Sequence, residues 1–159
     1  MTDIFINYSK YIIFFHVLSA IMWVGGMIVV RFSVHYAMQN ISEPKIKLAR
    51  TLEILKSFFN IVIPAIILLI ITAVFMAIGM GFKGTELYMT VHIKEAIWTI
   101  MTMVFIYIYI KRDKAEKAFI SGDLEKTKYE LSLLPKYLIP LNIILGLFAL
   151  YFGITLRGF

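Results

Sequence analysis

The chain has 159 residues, of which 60% are hydrophobic and only 16% are charged, and it contains no cysteine. Soluble domains are close to half apolar, so the composition predicts an integral membrane protein, and the missing cysteines exclude disulfides, thiolate metal sites and covalent haem attachment. The formal net charge is +6, but the basic residues lie between apolar runs, which favours lipid headgroups over nucleic acid as their partners.

Four apolar segments are long enough to cross a bilayer, which takes about 20 residues of helix. They predict helices at about residues 8–31, 55–81, 87–115 and 136–156, within a single transmembrane domain that spans residues 1–159. The predicted fold class is therefore all-α, a four-helix transmembrane bundle.

The third predicted helix is the least apolar. Its uncharged part, Ala96–Ile110, is too short to span the hydrocarbon core unless the helix begins near Leu87. That extension brings His92, Lys94 and Glu95 toward or into the membrane.

A charged segment, residues 111–134, separates the third and fourth apolar runs. Its mixed signs predict a helical cytoplasmic extension of the third helix, a turn at Ser121, Gly122 and Asp123, and a return helix. Asp123 is placed to cap that return helix.

The basic residues predict the orientation. Twelve of the sixteen lysines and arginines lie in residues 31–56 and 111–136, against Lys10, Lys83 and Arg157 near the other ends of the helices. Short cytoplasmic loops carry such an excess. We therefore expect a bacterial-type inner membrane protein with both termini on the outer, periplasmic side.

Two histidines are predicted at the same depth. Counting from Tyr11, where the uncharged run begins, His16 lies five residues into the first helix, and His92 lies five residues beyond Leu87 in the third, so both are about 7–8 Å below the outer boundary. Two imidazoles at one level on different helices suit a bis-histidine haem or a metal ion. The alternative is that each histidine hydrogen-bonds a neighbouring helix.

The residues after His16 allow for a flat cofactor. Ser19 and Gly26 are small enough to leave room for a macrocycle, and Trp23 could stack on it. Small residues also let helices approach closely, which is the competing interpretation. Arg31, at the predicted inner boundary, is either a topology anchor or a partner for a porphyrin propionate.

Two charged residues beside His92 are the candidate catalytic groups. Glu95, one turn on, could orient the imidazole or handle protons. Lys94 points nearly the opposite way from His92, since two residues turn about 200°. Its ammonium either reaches the outer headgroups or pairs with an anionic group such as a propionate.

Methionines offer a second metal chemistry. Met22, Met76, Met80 and Met89 are predicted near the outer half of the bundle. Thioethers and imidazoles together suit Cu(I). Methionine also fills gaps between helices, which needs no metal.

Two motifs resemble the CopD/HemJ group of membrane proteins. FHVLSAIMWVGG (Phe15–Gly26) is similar to the first helix of that group, and VHIKEA (Val91–Ala96) to the element that opens its third helix. Arg31 and Pro64 also fit the pattern. The resemblance implies haem b bound by His16 and His92, a role for Lys94, and a redox activity like that of HemJ-type protoporphyrinogen oxidation.

The sequence thus leads us to expect a haem b membrane protein of redox function. Its expected partners are membrane lipid and either a porphyrinogen substrate or a quinone-type electron-transfer partner, with self-association also open. Two alternatives remain: a CopD-like copper-binding or copper-transport protein, and a structural subunit of a membrane complex.

Overall fold

The computed structural model of the chain describes residues 2–81, 84–85 and 87–156, with side chains from residue 4 on. All regular secondary structure in this part of the chain is helical. Lys83 and Arg157, two of the residues used to predict the orientation, lie outside the described residues.

Four long helices make up the fold. Helix α1 covers residues 2–39 in consecutive helical segments, α2 is Pro44–Gly79, α3 is Tyr88–Ile120, and α4 is Leu124–Thr155. Each is long and apolar enough to cross a membrane. The predicted all-α fold with four helices long and apolar enough to span is therefore confirmed, while the side on which the termini emerge stays a prediction.

The helices continue beyond the apolar runs that predicted them. Helix α2 begins eleven residues before residue 55, and α3 ends five residues after residue 115. The added turns carry the buried residues Leu52 and Ala118. The core of the bundle therefore continues toward this end, where buried residues of three helices belong to the same cluster: Leu52, Leu55, Ala115 and Leu131.

A tight hairpin joins α3 to α4, where the sequence predicts it. Gly122 has a φ of 83°, which is the left-handed conformation that glycine adopts at helix ends. The Asp123 carboxylate accepts a hydrogen bond of 2.9 Å from the backbone N–H of Lys126. The predicted turn and cap are thus confirmed.

Two side-chain contacts set the register of this hairpin. Lys111 donates to Glu130 at 2.7 Å, and both side chains are largely buried. The Thr127 hydroxyl lies 3.4 Å from the Ala115 carbonyl oxygen. Residues 111–115 of α3 are therefore held beside residues 127–130 of α4.

Both α1 and α4 contain wide helical turns. Ile21–Gly25 and Val30–Val34 in α1, and Leu134–Leu138 in α4, have π-helical hydrogen bonding. Such turns are rare and are often found at functional sites. In α1 they contain Trp23 and Arg31.

The core of the bundle is aromatic where three helices meet. The Trp23 and Phe105 rings lie edge to face at 6.0 Å, and the Phe59 ring packs on Phe105 at 5.4 Å. Gly146 lets α4 approach α1 closely at Val24. A Cβ there would lie 2.6 Å from Val24 Cγ2 and would therefore clash.

Candidate functional site

A cavity of about 650 Å³ lies between all four helices. Its walls come from the first half of α1, the last turns of α2, the first half of α3 and the last turns of α4, so it lies at the end of the bundle predicted to face outward. Small-molecule sites have this size and combine apolar walls with a few polar groups. The ionisable groups in the lining are His16, Lys94 and Glu95.

His16 is held by a threonine of the neighbouring helix. Its Nδ1 lies 3.0 Å from Thr72 Oγ1. The Thr72 hydroxyl donates its single hydrogen to the helix backbone, at 2.8 Å from the Leu68 carbonyl oxygen. With that hydrogen on the Leu68 carbonyl, the threonine oxygen accepts from His16, and we assign the proton of the imidazole to Nδ1 and the lone pair to Nε2 on this basis.

This tautomer suits a metal ligand. Ligating histidines usually donate the other ring N–H to a neighbouring oxygen, which orients the ring and makes the free nitrogen more basic. His16 lines the cavity and has its Nδ1 engaged in this way. Its Nε2 is therefore the nitrogen that can coordinate a metal ion.

Lys94 lines the same cavity from α3. Its Nζ lies 3.3 Å from the position that a Cβ would take at Gly153, on the facing wall. Among the described residues, Lys94 forms no ion pair within 4 Å. A positive charge beside apolar walls is costly unless an anion accompanies it. Lys94 is thus positioned to pair with an anionic ligand.

Glu95 connects the cavity to His92. Its carboxylate Oε2 lies 3.0 Å from His92 Nδ1, which confirms the predicted contact between these two residues. The His92 ring packs edge-on against Tyr88 with 4.4 Å between ring centres. His92 is not part of the cavity lining, and 48% of its side chain is exposed.

The structure therefore brings only one of the two predicted ligands to the cavity. Depth was estimated from the rise per residue, but the rise does not determine which way a side chain faces. On α3 the lining residues include Lys94, which is about 200° from His92 around the helix axis. Ligation by both histidines stays a prediction that a spectrum must test.

Of the other residues predicted to contact a cofactor, Trp23 lines the cavity and three do not: Ser19, Gly26 and Arg31. Trp23 lines the cavity and is 1% exposed. Ser19 is equally buried but is not in the lining, and Gly26 faces α2, where a Cβ would lie 2.6 Å from Phe58 Cε2. Arg31 lies two turns beyond Trp23, with its guanidinium near the Phe32 and Tyr36 rings, and it does not line the cavity.

Several residues in or next to the cavity were not singled out from the sequence. Thr72 contacts His16 without lining the cavity itself, and its signal is that it is the polar residue of the otherwise apolar stretch at positions 61–79. Gly146 and Gly153 are seven residues apart, so they lie on one face of α4 and could have been found as a small-residue stripe. Trp98 and Met101 complete the α3 wall.

Below the cavity, polar atoms are buried without hydrogen-bond partners among the described residues. Asn142 is fully buried, and neither its Oδ1 nor its Nδ2 has a partner there. Trp23 Nε1 is also buried without a hydrogen-bond partner among these residues. Such groups usually hold an ordered water.

Soft metal ligands are also present in the lining. Met76, Met80 and Met101 line the cavity together with His16, whereas Met89 is 68% exposed. Within the described part of the chain, there is no group of three or more histidine, aspartate or glutamate residues that could hold a metal ion. A protein-only site here would therefore rest on thioethers and one imidazole.

Fold and cavity together define the class: a multi-pass helical membrane protein with a partly open cavity of small-molecule size between its helices. No family model, no curated protein and no solved structure matches the chain.

Proposed function

We propose that the protein is a membrane haem b protein of redox function, with the macrocycle in the cavity and His16 Nε2 as an axial ligand. The observation that carries the proposal is the hydrogen bond from His16 Nδ1 to Thr72 at the cavity wall. The resemblance of Phe15–Gly26 and Val91–Ala96 to the CopD/HemJ group supports the same choice.

The cavity residues suit this cofactor in shape and charge. Apolar walls favour a flat macrocycle, and the buried Trp23 ring closes the inner end of the lining. Lys94 would pair with a propionate carboxylate. When bound, the haem supplies the one-electron chemistry, while the protein supplies the ligand, the counter-charge and a dry pocket.

Glu95 and His92 would serve proton movement beside the cofactor. Glu95 lines the cavity and shares a hydrogen bond with His92, which is partly exposed. A proton taken up by the Glu95 carboxylate can therefore pass to His92 and leave the cavity. This suits oxidation of a porphyrinogen-type substrate, or exchange of electrons with a quinone, at the periplasmic side of an inner membrane.

The direct test is an absorption spectrum of the purified protein. We expect a Soret band that shifts on addition of dithionite, with one iron per chain by elemental analysis. A colourless protein that also takes up no added haemin would overturn the proposal.

Replacing Lys94 with alanine should lower the midpoint potential of the bound haem by about 50 mV or more. A nearby positive charge stabilises the reduced form, and its removal in a low-dielectric cavity is worth several tens of millivolts. The measurement is a redox titration followed by absorbance. Lys94→Arg should retain most of the potential.

Lys10→Ala is the matched control, because Lys10 is an exposed lysine of α1 outside the cavity. It should leave the potential unchanged. Equal potentials in Lys94→Ala and in the unsubstituted protein would mean that the ammonium does not face the haem.

Copper binding is the second candidate, and the three thioethers in the lining favour it. His16 with Met76 and Met80 would hold Cu(I), a soft ion. In that case the purified protein carries copper in a one-to-one ratio, and Met76→Leu with Met80→Leu removes the metal. The same pair of changes would leave a haem spectrum unaltered.

A further inference from the structure

The hairpin between α3 and α4 contains a groove of about 420 Å³ that is separate from the cavity. On the α3 side it is lined by Lys114, Lys117 and Ala118, which share one helix face, and by Ser121 just after the helix ends. Its α4 side is formed by Lys126 and Glu130. Three of the six lining residues are lysines.

Two of the charges on this groove are already matched, and two are not. Lys117 pairs with Asp113 at 2.7 Å, and Glu130 pairs with Lys111 at 2.7 Å. Lys114 and Lys126 form no ion pair within the described part of the chain. The groove therefore has two uncompensated positive charges, one on each side.

The contacts that fix the hairpin also fix the depth of these two lysines. Lys114 lies four residues after Ile110, the last uncharged residue of the apolar run, so it is about 6 Å beyond that end. The Thr127–Ala115 contact places Lys126 at a similar level. The polar headgroup layer occupies roughly 5–8 Å on each side of the hydrocarbon core.

We propose that Lys114 and Lys126 bind the phosphate group of an anionic phospholipid in this groove. A phosphate between the two ammonium groups offsets their repulsion, and basic pockets between helices at this level suit anionic headgroups. Ser121, at the end of the groove, already donates its hydroxyl hydrogen to the Ala118 carbonyl, so its oxygen is left to accept. The lysines are thus the donors to the phosphate.

The test compares lipids on the full-length protein in a neutral maltoside detergent. Dioctanoyl phosphatidylglycerol and dioctanoyl phosphatidylcholine are titrated, and bound lipid is counted by native mass spectrometry. We expect phosphatidylglycerol to bind more tightly, and the double variant Lys114→Gln, Lys126→Gln to weaken it about 10- to 30-fold. Phosphatidylcholine binding should change less than about twofold.

Lys128→Gln is the matched control, since Lys128 is an exposed lysine of the same helix turn outside the groove. Equal losses in control and double variant would overturn the proposal, because they would indicate a diffuse charge effect. Circular dichroism of each variant confirms that it remains folded. Glycerol 3-phosphate identifies the source: if it binds as tightly as the lipid, the site takes a soluble phosphate and the lipid assignment is wrong.

Discussion

His16→Ala should lose at least nine-tenths of the bound haem while the protein stays folded and in the membrane. The imidazole is the only histidine in the described cavity lining, and its Nε2 has the lone pair that coordination requires. Haem content per chain, measured by the pyridine haemochrome assay, gives the result directly. A variant that kept its full haem content and an unchanged spectrum would contradict the assignment.

Two companion variants show how His16 acts. Thr72→Val keeps the shape of the side chain but removes the oxygen that accepts from Nδ1, so haem affinity should fall about 10- to 100-fold. His92→Ala separates the two modes of ligation. A change from low spin to high spin would establish His92 as the second ligand, and an unchanged spin state would exclude His92 as a ligand.

The second large effect is expected at Gly146. A methyl group added there would lie 2.6 Å from Val24 Cγ2 and 3.2 Å from Met101 Cε. Valine has one strongly preferred side-chain rotamer in a helix, so the clash is relieved by moving α4 and not by rotating Val24. Gly146→Ala should destabilise the fold by about 1–3 kcal/mol, the usual range for an overpacked core. Thermal unfolding in detergent, followed by circular dichroism, measures it.

Gly25→Ala is the matched control for this glycine. Gly25 is also helical, but the nearest atom to its added Cβ would be Ile21 Cγ2 at 3.9 Å, an ordinary contact. Its stability should stay the same or rise slightly, since alanine favours helix. Adding Val24→Ala to Gly146→Ala should restore part of the loss. No difference between the two glycine variants would mean that α4 is not in close contact with α1.

The sequence predicts the helices because apolar length is a strong and local signal. It also predicts the turn at Gly122 and the cap at Asp123, since both depend on neighbours in the chain. It places the helix ends less well. The buried Leu52 lies among charged residues, so composition started the second helix at residue 55, eleven residues too late.

The cavity was only partly predictable for a geometric reason. Position along a helix follows from counting residues, and this places His16 and Lys94 near the same end of the bundle. Rotation about the helix axis depends on packing with neighbours, and this is why His92 turns to Glu95 and Tyr88 instead of the cavity. Thr72 could be recognised only once α2 was placed beside α1.

The two π-helical turns of α1 are positions at which a change of hydrogen bonding would shift the register of the helix. A π turn holds one more residue than the α turn it replaces, so converting it to α geometry moves the helix beyond it by one residue, about 1.5 Å along the axis and 100° around it. The first such turn contains Trp23 at the cavity, and the second contains Arg31, whose Nε and Nη1 have no partner among the described residues. A change of either turn to α geometry would therefore rotate the rest of α1 relative to the cavity wall, and the two turns lie at Trp23 and at Arg31.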